Sequence, residues 1–195
     1  GIVAVMLVAF AHGGLLVRCL ARFSEHQVDE ALFMGLAVLG LMDALRAAER
    51  ELPAYELLLQ REFDLIRGTL GWSLLAGVAF GVYMWVWPPG VWLYGIFGIF
   101  FLVHMSAEHA RGRSPEHTAF VGAIVFATAG LLQLAAVREL GLSPTNRTLL
   151  QPVFGLVGAV GIVGLAWFSH EVHRRNRSAL AYPAGIVGSI VGGIV

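Results

Sequence analysis

The chain has 195 residues, 57% hydrophobic and only 13% charged, with a formal net charge of zero, against roughly a quarter charged in a soluble domain. All thirteen basic residues are arginine, which excludes a retinal or pyridoxal Schiff base and a Walker A loop, since each requires a lysine. The single cysteine, Cys19, excludes an internal disulfide and any multi-cysteine metal or iron–sulfur site, and the neutral balance gives no support to nucleic-acid binding.

Long apolar runs recur along the chain, and the alternating segments of about ten residues expected of a closed β-barrel do not. The fold class is therefore all-α, a polytopic transmembrane bundle of about seven spans (six to eight), with the lipid bilayer as its first partner. In chain order the spans fall near 1–20, 31–47, 69–87, 91–107, 118–138, 151–171 and 181–195. The first lacks a basic start and an Ala-x-Ala-like exit, so it reads as a span and not as a signal peptide. The chain begins inside one apolar run and stops inside another, which reads as a single transmembrane domain trimmed at both ends. Between spans two and three, after Pro53, Tyr55, Leu58, Leu59, Phe63 and Ile66 recur at helical spacing. Residues 48–68 are thus predicted to form an amphipathic interfacial helix. Trp87-Pro88-Pro89-Gly90 makes a tight turn between spans three and four. Trp85, Trp87, Trp92 and Tyr94 around it fit an interfacial aromatic belt.

Alternating these spans puts Arg46, Arg50, Arg61, Arg67, Arg111, Arg113, Arg174, Arg175 and Arg177 on one face. Arg18, Arg22, Arg138 and Arg147 fall on the other. The first face, with the N-terminal end of the chain, is expected in the cytoplasm. Small residues at helical spacing let backbones approach closely. Gly77 and Gly81 in span three, Gly158 and Gly161 in span six, and Gly185, Gly188 and Gly192 in span seven are the predicted packing positions. They leave room for a homo-oligomer or a larger membrane complex.

Five of the seven histidines sit at the predicted cytoplasmic boundary. His104, Glu108 and His109 end span four, His117 begins span five, and His170, Glu171 and His173 end span six; Asp43 ends span two. His104 and Glu108 are four residues apart, and His170 and His173 three apart, so each pair shares one helix face. Two readings stay open. His104, Glu108, His170 and His173 offer a nitrogen and oxygen set for a transition metal, or His104 and His170 the axial pair of a b-type haem. Alternatively His12, Asp43, His104, Glu108, His109, His170 and His173 line a proton or substrate pathway, since histidine titrates near neutrality. His12 stands deep in span one, where an ionisable group is costly enough to suggest function.

Glu62-Phe-Asp-Leu-Ile-Arg67-Gly68 resembles the EExxxRG motif of CAAX-type intramembrane proteases, and Phe100-Phe-Leu-Val-His104 resembles their FxxxH. The resemblance implies water-activating roles for Glu62 and His104. Phe63 replaces the second glutamate of that motif, and the HxxxN element is absent, because Arg174 follows His170 by four.

The leading functional expectation is a small transporter or channel whose His/Glu cluster forms its cytoplasmic mouth. Alternatives are a haem- or metal-binding redox subunit, a sensory or scaffold membrane domain, and a protease of the CAAX kind.

Overall fold

The computed structural model describes residues 27–49 and 63–175, together with Tyr182, Ala184 and Gly185. Within them the chain is helical, with one isolated bridge between Glu139 and Thr148. Five long helices follow one another: α1 Gln27–Ala48, α2 Phe63–Val86, α3 Trp92–Ala110, α4 Glu116–Leu134 and α5 Leu150–Arg174. All five are long and apolar enough to cross a membrane, with mean hydropathy between 1.5 and 1.8. The protein is an integral membrane helix bundle. The expected spans at 1–20 and 181–195, with His12, Gly188 and Gly192, lie outside the described residues apart from Tyr182, Ala184 and Gly185. So does most of the expected amphipathic helix at 48–68, whose last residues, from Phe63, belong to α2.

The helices start and stop for local reasons. Pro88 and Pro89 lack the N–H groups that would continue α2, and the chain turns through a 3-10 segment, Pro88–Val91, into α3. At the end of α3, Gly112 adopts φ +72°, a left-handed conformation that glycine takes without cost. Its N–H bonds the His109 carbonyl at 3.0 Å, and the Arg113 N–H bonds the Glu108 carbonyl at 3.0 Å. Together these make a Schellman cap, which reverses the chain within five residues and sets the start of α4 beside the end of α3.

Helix α2 packs between α1 and α4, and α4 in turn packs against α5. Where backbones approach most closely the facing residues are glycines. A Cβ on Gly155 of α5 would lie 2.5 Å from the Gly130 Cα of α4, and one on Gly77 of α2 would lie 2.6 Å from the Thr128 Cβ. Helix α3 is held off by large side chains instead. Phe97, Phe101 and Tyr94 meet Phe80 and Phe126 edge-on or tilted, with ring centroids 4.7 to 5.9 Å apart, which is favourable ring geometry. The outer faces carry exposed apolar residues such as Ile99, Val157, Val160 and Trp167, as a bundle solvated by lipid requires. Trp92 faces outward at 66% exposure, whereas Tyr94 is buried within the aromatic core. The aromatic belt expected from sequence therefore divides between lipid and interior.

Candidate functional site

The Schellman cap fixes where Glu108 can reach. Glu108 stands in the last turn of α3 and is only 5% exposed. His117, in the first turn of α4, brings Nε2 to 2.8 Å from Glu108 Oε1, an ion-pair distance. One turn back along α3, His104 places its Nε2 3.7 Å from the same oxygen, its ring stacked on Phe100. The remaining oxygen, Oε2, accepts a hydrogen bond of 2.8 Å from the Thr118 hydroxyl. Both oxygens of a buried carboxylate thus have partners, which such a group needs to remain folded inside. A cavity of about 460 Å³ opens beside this set, between the end of α1 at Ala48 and Glu49 and the start of α4.

A second polar set joins α3 to α5. His109, 1% exposed, has Nδ1 2.7 Å from the Ser169 Oγ. Its ring meets that of His173 edge-on at 4.3 Å and stacks on Tyr182 at 4.5 Å. His173 Nδ1 lies 3.3 Å from the Ser169 carbonyl oxygen of the preceding turn. At the rim, His170 Nδ1 stands 3.8 Å from Glu116 Oε1, and Glu171 accepts hydrogen bonds from Arg174 and Arg175.

The ends of α3 and α5 therefore do touch, through His109, Ser169 and His173. His104 and His170 face different neighbours: His104 of α3 meets Glu108 one turn along its own helix, and His170 of α5 meets Glu116 at the start of α4. The four expected ligands His104, Glu108, His170 and His173 do not converge. Among the described residues no group of three or more His, Cys, Asp or Glu side chains is disposed to hold a metal ion. Asp43 is paired instead with Arg46 of its own helix at 3.1 Å. Of the glycines, Gly77, Gly81, Gly158 and Gly185 face close neighbours (Thr128, Leu132, Phe126 and Phe168), while Gly161 has nothing within 4 Å. Thr118 and Ser169 went unnoticed in the sequence, since a hydroxyl inside a span leaves no trace in a census of charge. Their one signal is adjacency: each precedes or follows a boundary histidine, His170 or His117.

No family model matches the chain. Among characterised proteins it is similar to the dolichyl-monophosphooligosaccharide–protein glycotransferase AglB of Haloferax volcanii. The two are 44% identical over 200 residues, a match that covers 100% of this chain and 18% of that protein. The likeness is to a glycotransferase. The fold is similar to that of the Archaeoglobus fulgidus oligosaccharyltransferase in two crystal structures. In one, that enzyme is tethered to an acceptor peptide containing the NVT sequon (TM-score 0.68, 17% identity, 87% of this chain and 20% of that one). In the other it is in complex with Zn and sulfate (TM-score 0.64, 19% identity, 88% and 21%). This chain thus spans about a fifth of the length of each.

The AglB likeness corrects the expectation of a transporter or channel, and with it the redox-subunit, sensory and CAAX-protease alternatives. The transporter, channel and redox-subunit expectations rested on an apolar bundle with polar groups near its boundary, and any polytopic membrane enzyme shares that. The histidines and glutamates at the ends of α3, α4 and α5 pair with one another across helices, so their clustering alone does not define a pathway. Glu62, on which the protease resemblance depended, lies outside the described residues.

Proposed function

We propose that this chain forms part of the membrane domain of an oligosaccharyl transferase, an enzyme that moves an oligosaccharide from a dolichyl-phosphate-type lipid to protein. The observation that carries this reading is the 44% identity to the Haloferax volcanii glycotransferase along the whole chain. The helical bundle suits such a role physically. A polyprenyl-linked donor resides in the bilayer, so the enzyme that receives it must present a lipid-exposed surface, and α3 and α5 present one.

Two finer assignments belong to the same reading. The His/Glu end of the bundle faces the cytoplasm, on the bias of Arg46, Arg67, Arg111, Arg113, Arg174 and Arg175 at that end against Arg138 and Arg147 at the other. The Glu108–His117–Thr118 and His109–Ser169–His173 sets are polar clamps that fix α3 against α4 and α5. Clamping the cytoplasmic ends leaves the opposite end of the bundle to meet lipid donor and protein acceptor.

The test is a replacement. The matching fifth of the Haloferax volcanii glycotransferase is exchanged for this chain in cells lacking that protein, and glycosylation of a reporter bearing an Asn-x-Thr sequon is followed by mass spectrometry. Restored glycosylation supports the reading. A chimera that is present in the membrane in normal amount yet leaves the reporter unmodified rejects it.

A further inference from the structure

The end of the bundle opposite the His/Glu cluster is built around the loop from Ala135 to Leu149. This loop is tied down by its own backbone. The Arg138 N–H bonds the Arg147 carbonyl at 2.9 Å, the Glu139 N–H bonds the same carbonyl at 3.3 Å, and the Leu149 N–H bonds Gly141 at 3.1 Å. Buried Thr148 and Gln151 brace it from within: Thr148 Oγ1 donates to the Ser143 carbonyl at 3.0 Å, and Gln151 Nε2 donates to the Asn146 carbonyl at 2.7 Å. A compact loop of this kind is a frequent carrier of function. Its consequence is that two arginines nine positions apart in sequence become direct neighbours.

Together with Trp85 at the end of α2, Arg138 and Arg147 line a cavity of about 220 Å³. Arg147 is half-buried and donates one hydrogen bond, from NH2 to the Trp85 carbonyl at 2.6 Å. That bond satisfies an orphan carbonyl in the last turn of α2 and holds the guanidinium in place. A guanidinium carries five N–H donors, so most of those on Arg147 remain unused. Neither Arg138 nor Arg147 has a carboxylate partner among the described residues, and the nearby Glu139 accepts from Asn146 Nδ2 at 3.2 Å. The Trp85 indole Nε1 is buried with no hydrogen-bond partner among them. The two arginine side chains at this cavity offer donors only, both cationic and forked, the geometry that suits a tetrahedral oxyanion.

We propose that Arg138 and Arg147, the latter held by the Trp85 carbonyl, form a binding site for the phosphate oxyanion of a membrane lipid at this end of the bundle. The proposal rests on the glycotransferase reading only in naming a dolichyl phosphate as the lipid. Arg147, fixed by its bond to the Trp85 carbonyl, presents its remaining donors with less side-chain entropy left to lose, and exposed Arg138 adds a second cation to a cavity that stands beside the ends of α2 and α4.

The experiment uses the full-length protein that contains this chain, in phosphatidylcholine nanodiscs. It is titrated separately with dolichyl phosphate, phosphatidylglycerol and inorganic phosphate. Arg138→Gln removes an exposed, unpaired cation. Arg147→Lys keeps both a charge and a donor for the Trp85 carbonyl but loses the fork, so folding is preserved. Each is expected to weaken dolichyl phosphate binding by about tenfold or more, with Arg46→Gln at the other end unchanged. Arginine-dependent binding of phosphatidylglycerol with equal affinity also supports the site, with bulk lipid as its source. Binding that is indifferent to both arginine variants overturns it, as does arginine-dependent binding of inorganic phosphate alone. Oligosaccharide transfer measured on the same preparations separates the two ideas. Transfer with arginine-independent lipid binding overturns the site alone, and arginine-dependent lipid binding with no transfer overturns the enzyme reading alone.

Discussion

Glu108 and Arg147 sit at opposite ends of the same bundle, both polar and both partly or wholly withdrawn from solvent, and they are treated in opposite ways. Around Glu108 each carboxylate oxygen has a partner: His117 and His104 at one, Thr118 at the other. Around Arg147 a single donor is used, and the Trp85 indole beside it has no acceptor among the described residues. A satisfied buried network rigidifies the structure around it. Donors left over in a braced loop are available to a ligand. Richness in histidine and glutamate thus marks where the helices are fastened, and the sparser arginine end is where a phosphate fits.

The comparison can be broken most sharply at Glu108. Glu108→Ala strips the acid from a buried ion pair and leaves His117 and Thr118 without it, which is expected to cost about 3 kcal/mol. The measurement is thermal unfolding of the purified protein in detergent, and an unfolding temperature equal to that of the parent would refute the clamp. Gly155→Ala comes next. Its new Cβ meets the Gly130 backbone, which cannot move aside as a side chain does, so a loss of about 2 kcal/mol is expected from overpacking between α4 and α5. Gly161→Ala serves as its control, since nothing lies within 4 Å, and it is expected to stay within about 0.5 kcal/mol of the parent.

Ser169→Ala has a smaller effect. It removes the hydroxyl 2.7 Å from His109 Nδ1 and is expected to cost about 1 kcal/mol, read in the same assay. Arg138→Gln is smallest in stability, within about 0.5 kcal/mol, because its exposed side chain has no partner to lose. Should that variant destabilise as much as Glu108→Ala, the contrast between the two ends would collapse.

Composition and apolar runs made the helical membrane class legible, because lipid imposes length and hydropathy on every span. The five described helices agree with the predicted spans to within a few residues at most ends, and α2 begins six residues early, at Phe63. The site was less legible. Spacing of three and four put His170 with His173, and His104 with Glu108, on shared faces of their helices. It could not say which neighbour each face meets, since that depends on how α4 is inserted between α2 and α5. Thr118 and Ser169 complete the two clamps, yet neutral hydroxyls within a span carry no distinguishing pattern. Arg138 and Arg147 were read only as counts in a charge bias. Their pairing comes from the Arg138 N–H to Arg147 carbonyl bond, a loop closure that no periodicity announces. The functional class was not legible at all, because an apolar bundle with boundary histidines suits a transporter and an enzyme equally.

The most direct measurement of the central claim is oligosaccharide transfer by the purified full-length protein that contains this chain. It is supplied with a dolichyl-phosphate-linked oligosaccharide and a peptide bearing an Asn-x-Thr sequon. The expected result is a peptide heavier by the mass of the glycan and modified at that asparagine. An unmodified peptide, from protein shown to be folded and to bind the donor lipid, would contradict the account.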